Sequence, residues 1–199
     1  MIHQIAQYLV GTIGSLGYLG IFALMFLEST FFPFPSEIIM IPAGYLAYQG
    51  EMNLFVVVAI GVLGSIAGAV FNYYIAIFFG RKFLLRYGKY ILVSPQTLQK
   101  LEDFFKSHGE ISTFSGRLIP GIRQLISLPA GLAKMNMARF IIYSALGAAI
   151  WVVVLVAIGY FIGSNQELVS QYLQSATTIA LMSIAVIVAV YVYRHKKSR

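Results

Sequence analysis

Cysteine is missing from all 199 residues, which removes disulfides, thiolate metal sites and cysteine nucleophiles. Charge is scarce as well. Asp, Glu, Lys and Arg make up 11% of the chain, less than half of the roughly 25% usual in a soluble domain. A single aspartate, Asp103, and three scattered histidines, His3, His108 and His195, form no metal constellation. Residues 1–80 contain no Lys or Arg at all. The opening MIHQIAQYLVGTIGS lacks the basic segment of a cleaved signal peptide and is expected to stay on the mature protein. With 59% hydrophobic residues and a mean hydropathy of +0.80, these shortages exclude a soluble enzyme or a nucleic-acid-binding domain of ordinary composition. The chain reads as one multispan membrane domain over 1–199.

Crossing a bilayer takes about 20 mostly apolar residues. Three uncharged segments qualify: 52–80, 140–163 and 173–193. Two others are apolar but broken at the centre. Residues 18–48 carry Glu28 and Glu37 around Pro33 and Pro35, and residues 110–133 carry Arg117 and Arg123 around Pro120.

The basic residues orient these pieces. Ten of the 14 Lys and Arg lie in 81–139 and four in 194–199, whereas 164–172 has none. Because Lys and Arg stay on the cytoplasmic side, region 81–110 and the C-terminus are expected inside and loop 164–172 outside. Segment 110–133 then has cytoplasmic flanks at both ends, so it is expected to enter and leave on one side, as a re-entrant hairpin. Segment 18–48 is read as a hairpin from the opposite face. Its arm 18–28 would be about 16 Å long at 1.5 Å per residue, half of a ~30 Å hydrocarbon core. The alternative for 18–48 is a single kinked crossing with a cytoplasmic N-terminus. Residues 94–108 place Leu98, Leu101, Phe104 and Phe105 on one helical stripe between charges, the pattern of an amphipathic helix on the membrane surface.

The halves echo each other. Pro42-Ala43-Gly44 follows the first broken segment and Pro129-Ala130-Gly131 ends the second. Gly68, Asn72 and Gly80 in one span have the spacing of Gly147, Trp151 and Gly159 in another. The expected fold is therefore an all-α integral membrane protein. It is built from an inverted repeat (about 17–80 and 95–163) with two re-entrant hairpins, about three full transmembrane helices including an extra one at 173–193, and the interfacial helix. Interrupted segments at matching places of inverted halves point to a transporter's binding site.

Four charges sit in those interrupted segments. Each costs about 2.5–3.5 kcal/mol at a bilayer centre, so they should face each other or a wet cavity. Arg117 and Arg123 can grip a phosphate bidentately, helix N-termini at Pro33, Pro35 and Pro120 would add N–H groups, and Glu28 and Glu37 could carry a coupling proton or pair with the arginines. A structural salt-bridge cluster is the plainer reading of the same residues.

The run Glu28-Ser-Thr-Phe-Phe-Pro33-Phe-Pro35-Ser-Glu37, followed by Phe114-Ser-Gly-Arg117-Leu-Ile-Pro120-Gly-Ile-Arg123 and Pro-Ala-Gly, resembles the DedA family of the SNARE-associated or VTT-domain superfamily. The likeness covers roughly 17–163. It implies a lipid transporter with two opposed re-entrant hairpins, in which Glu28, Glu37, Arg117 and Arg123 hold the positions tied to function. Family members are linked to returning undecaprenyl phosphate across the bacterial cytoplasmic membrane for cell wall biogenesis, others to phosphatidylethanolamine translocation or to growth under alkaline or drug stress. Asn72 departs from the pattern, which has an aspartate there.

The expected activity is translocation of a phosphate-bearing lipid, foremost undecaprenyl phosphate, in a multi-pass protein of the bacterial cell membrane with its C-terminus in the cytoplasm. The alternatives are a phosphatidylethanolamine flippase or scramblase and a proton-coupled ion or drug exporter. No metal, cofactor or nucleic-acid partner is expected, and a homo-oligomer is compatible with the sequence. A membrane phosphatase would need a nucleophile with its base, or a metal with ligands. Three dispersed histidines and the lack of a Gly-x-Ser-x-Gly elbow argue against any enzyme.

Overall fold

The computed structural model of the chain describes residues 2–30, 35–80, 95–119 and 122–162, and among them there is no strand. A bilayer imposes this, because backbone N–H and C=O groups have no water to bond in hydrocarbon and a helix pairs them within one segment. The described helices are α1 (Ile2–Glu28), α2 (Glu37–Tyr48), α3 (Leu54–Ile75), α4 (Pro95–Leu118), α5 (Ile122–Leu125), α6 (Ser127–Leu132) and α7 (Met137–Ile162). A π turn, Ala76–Gly80, prolongs α3.

Three stretches are long and apolar enough to cross a membrane: Val10–Glu28, Leu54–Gly80 and Met137–Phe161. The last two match the expected spans 52–80 and 140–163. The first overlaps the expected hairpin arm, and it is not one straight rod. Gly17 takes φ 61 and ψ −157, a conformation that side-chain-bearing residues avoid, so 18–28 leaves the break as a separate arm. The expected span 173–193, together with Pro33 and Pro120, lies outside the described residues. In each of the three stretches a third or less is buried within the chain, which leaves the remainder to lipid. Phe55 and Leu19, about four-fifths exposed, belong to that outer face.

The second half is articulated in the same manner. α4 loses helical geometry at His108 (φ −125, ψ 16), where the expected surface helix ends and the arm 109–118, bearing Arg117, begins. Of the expected apolar stripe, Phe105 is buried and Phe104 half exposed.

Packing brings α2 and α4 against α7, α1 and α6 against α3, and α3 against α7. Two apolar cores result. One gathers Ile21 and Met25 of α1, Ile39 and Met40 of α2, Val57 of α3, and Val152 and Val156 of α7. The other gathers Ala69 and Tyr73 of α3, Phe105 of α4, Ala130 of α6 and Phe140 of α7. Along α3 and α7 the two cores occupy opposite ends; buried Ser65 and Ser144 interrupt the apolar run between them, and Asn72 is buried within the second.

Lipid supplies no hydrophobic drive between helices, so association depends on close backbone approach at small residues. A Cβ on Gly44 of α2 would lie 2.3 Å from the Val156 carbonyl of α7, and one on Gly131 of α6 would lie 2.4 Å from the Tyr73 carbonyl of α3. Each Pro-Ala-Gly helix therefore leans on the long span of the other half. A Cβ on Gly68 of α3 would lie 2.4 Å from the Phe26 carbonyl of α1, and one on Gly147 of α7 would lie 2.5 Å from Cβ of Arg117, so each span also leans on its own half's arm.

α6 closes with a Schellman turn: the Lys134 amide donates to Gly131 O and the Met135 amide to Ala130 O, both at 3.0 Å. The left-handed position that glycine usually fills is held by Lys134, at φ 51. That conformation costs a side-chain-bearing residue about 1–2 kcal/mol.

Candidate functional site

The arms and turns converge on a polar cluster enclosed by α1, α3, α5 and α7. Glu28, the last residue of α1, is 2% exposed. Arg123 of α5 donates through Nη2 to Glu28 Oε1 at 2.6 Å and to Ser36 Oγ at 2.8 Å, and its guanidinium lies 5.0 Å from the centre of the Trp151 ring. Trp151 itself donates to Ser36 Oγ at 3.1 Å. One acid and one arginine, 95 residues apart, thus form a buried ion pair that joins the two broken segments.

Arg117 is placed differently. It is buried, and among the described residues its Nη groups donate only to hydroxyls: Ser127 Oγ at 3.1 Å and Ser65 Oγ at a long 3.5 Å. Its Nε has no partner. Among the described residues no carboxylate comes within ion-pair distance of it. A route of hydroxyls nonetheless links it to the acid. Ser29 Oγ donates to Glu28 Oε2 at 3.1 Å, and Ser29 and Ser65 are 2.8 Å apart. Since Ser29 spends its one proton on Glu28, Ser65 donates to Ser29 and accepts from Arg117.

Glu37 stands apart. It is half-buried in the first turn of α2, with no hydrogen bond or ion pair to the described residues. Of the four expected charges, then, the structure pairs Glu28 with Arg123, buries Arg117 beside them and leaves Glu37 single. Pro35 lies just before α2.

The expected amide donors at this break are already engaged. Ile38 N–H bonds Pro35 O, and Ile39 and Met40 N–H bond Ser36 O, at 2.8–3.2 Å, because the chain enters α2 through a tight turn. Ser36 Oγ does not cap the helix either; it is taken by Arg123 and Trp151. At this break the described donors are the guanidinium groups, not the Ile38, Ile39 and Met40 amides of α2.

Sequence reading missed the hydroxyl and amide shell: Ser29, Ser36, Ser65, Ser127 and Gln124, whose amide reaches Glu28 Oε1 at 3.4 Å. Ser65 carried a signal, since it follows Gly64 and falls on the close-packed face that Gly61 and Gly68 define. Asn72 also gains a role. Its Nδ2 donates to Ser29 O at 3.0 Å and to Gln124 O at 3.5 Å, one carbonyl from each broken segment. An ionised aspartate could make neither bond.

Glu28, Ser29, Ser65, Arg117, Arg123, Gln124 and Trp151 line a cavity of about 10 Å³. That is room for roughly one water. Among the described residues no group of three His, Cys, Asp or Glu converges to hold a metal.

Comparison with known proteins completes the picture. No solved structure matches the chain significantly. The Bacillus subtilis membrane protein YkoX is 36% identical over 199 residues, all of this chain and 88% of its own length. An alkaline phosphatase-like protein of Lactococcus lactis is 31% identical over 96% of this chain and 92% of its own. Undecaprenyl phosphate transporter A of Bacillus subtilis is 31% identical over 92% of this chain and 91% of its own. A family profile described as the VTT domain matches residues 34–161, a stretch that holds both arginines, Glu37 and both Pro-Ala-Gly turns. With the charged segments, the paired turns and this match in agreement, the chain is a membrane protein of the VTT-domain, or DedA, family.

Proposed function

We propose that the chain carries a phosphate-bearing lipid across the membrane, with undecaprenyl phosphate as its substrate. One observation carries the reading: Arg117 is a buried guanidinium that has, among the described residues, no partner for Nε and no carboxylate within ion-pair distance. Arg123 beside it already has Glu28. Two buried guanidiniums thus share one carboxylate, an excess of buried positive charge is costly, and an anion that arrives with its own lipid tails relieves that cost. Nε and one Nη form the edge that takes two phosphate oxygens in parallel. Lys cannot reproduce that fork.

The small cavity implies a closed state. A phosphate enters only if the two broken segments part, and the Glu28–Arg123 pair is the bond that must open. Phosphate then competes with Glu28 for Arg123, so the latch and the head group exclude each other. Glu37, the unpaired acid, is the candidate for the coupling proton. The swapped Pro-Ala-Gly contacts support an inverted repeat, 17–80 against 95–163, in which the arms 18–28 and 109–118 belong to two re-entrant hairpins. The charge distribution supports a cytoplasmic C-terminus in a bacterial cell membrane.

This is transport without covalent chemistry. The Lactococcus relative's phosphatase-like name finds weak support in the cluster: its one hydroxyl–carboxylate contact, Ser29 to Glu28, uses a carboxylate already held by Arg123, which weakens it as a base. The test is translocation in proteoliposomes of undecaprenyl phosphate beside phosphatidylethanolamine. The proposal expects faster flipping of undecaprenyl phosphate and little change for the other lipid. Equal flipping of both would replace the assignment by a broad scramblase, and flipping of neither would reject it.

A further inference from the structure

A second cavity lies well away from the Glu28–Arg123 pair, at the end of the apolar core around Phe140. It has a volume of about 450 Å³ and opens between the His108 break of α4 and the turn from α6 into α7. That volume suits a small-molecule or head-group ligand. We propose that it is a head-group site for an anionic phospholipid, separate from the transport site and independent of what that site carries.

Charge is the first reason. Lys106, Lys134 and Arg139 line the cavity against one acid, Glu110. Glu110 pairs with Arg139 at 2.7 Å, and Lys106 is held by Asp103 at 3.2 Å. The Lys134 side chain has no partner among the described residues and stands exposed. It is the free cation of the cleft.

Backbone strain is the second. Lys134 occupies the left-handed position of the Schellman turn, where glycine would fit without penalty. A strained side chain that a simpler residue could replace is a pointer to use. Here the strain sets an ammonium group at the cavity mouth.

The third is the amphipathic surround. Ile111 is 70% exposed and lines the cavity, and half-exposed Phe104 stacks on the His108 ring beside it. Cationic wall and apolar rim together match a phosphate with acyl chains better than a free anion. Depth agrees. Asn136, another wall residue, caps α7 by accepting from Arg139 N–H at 3.2 Å, and the apolar span begins at the next residue, Met137. The cleft therefore sits at the end of a membrane span, the height of lipid phosphates. It also adjoins the positive end of a 26-residue helix.

Native mass spectrometry of the full-length protein, in micelles doped with phosphatidylglycerol or phosphatidylcholine, tests this. An Arg117→Met background keeps the transport site out of the count. The parent should retain phosphatidylglycerol in preference to phosphatidylcholine. Lys134→Gly should weaken that retention roughly fivefold, the equivalent of about 1 kcal/mol for one lysine near a lipid surface, while its melting temperature stays equal or rises. Lys100→Ala, exposed on α4 outside the cleft, should change nothing. Unchanged retention in Lys134→Gly overturns the proposal. So does an equal loss in Lys100→Ala, which would mean diffuse attraction. Stabilisation of the parent by inorganic phosphate as strong as by phosphatidylglycerol would assign the cleft to a free anion and overturn it as well.

Discussion

Arg117 and Arg123 look equivalent in the sequence and differ in their surroundings, and the difference sets opposite expectations for their loss. Arg123 neutralises Glu28, so Arg123→Met would strand a buried carboxylate. Breaking such a pair costs about 3–5 kcal/mol, and Glu28→Gln should cost similarly by stranding the guanidinium. The double variant Glu28→Gln/Arg123→Met removes both charges and should recover most of that stability, a non-additivity that unfolding of the three variants in one detergent would reveal. Arg117 has no such partner. Arg117→Met should leave the melting temperature equal or higher, because it removes the excess positive charge of the cluster, which outweighs the hydrogen bonds lost to Ser65 and Ser127. Trp151→Phe should keep a ring under Arg123 but lose the bond to Ser36, with a smaller loss of stability than Arg123→Met. These outcomes concern pairings that sequence could not assign. It marked four charges in two broken segments, but separations of 95 residues say nothing about which acid meets which base. The serine shell was invisible for a related reason, since a serine in an apolar span reads as a small packing residue until its neighbours are known.

At the scale of elements, the structure depends on two pairs of contacts that mirror each other. α2 rests on α7 through Gly44 and α6 rests on α3 through Gly131, each with another helix's carbonyl where a methyl would stand. Gly44→Ala and Gly131→Ala should therefore each destabilise the protein by about 1–3 kcal/mol, the usual range for overpacking. Gly11→Ala, with nothing within 4 Å, should not. Melting curves of the three variants decide this. Much of this level was legible beforehand. The Pro-Ala-Gly echo fell on Gly44 and Gly131, which each meet a carbonyl of a long span, and Gly68 and Gly147 each pack on a neighbouring arm. The uncharged runs 52–80 and 140–163 marked α3 and α7 because bilayer length leaves little freedom. The boundaries at 18 and 108 were expected, but not that one residue at each, Gly17 or His108, would carry the break, since a single residue's departure from helical geometry depends on what packs on either side. The engaged amides of α2 were missed because a proline predicts an interruption and not the turn that follows it.

For the whole molecule, two places with more cationic than acidic side chains emerge from one short, apolar chain: a closed cluster between the two cores and an open cleft at one end of a span. The first is proposed to move a lipid phosphate and the second to hold one. Their volumes, about 10 and 450 Å³, fit that division, since a transport site is shut between its two openings and a head-group site has no need to close. The central claim is that Arg117 serves the passing phosphate and not the fold. The most direct test measures undecaprenyl phosphate flipping and the melting temperature of the same Arg117→Met preparation, beside wild type. The account predicts transport lost with the melting temperature equal or raised. Transport at the wild-type rate, or loss of transport together with a collapse in melting temperature, would contradict it and leave Arg117 as a structural residue.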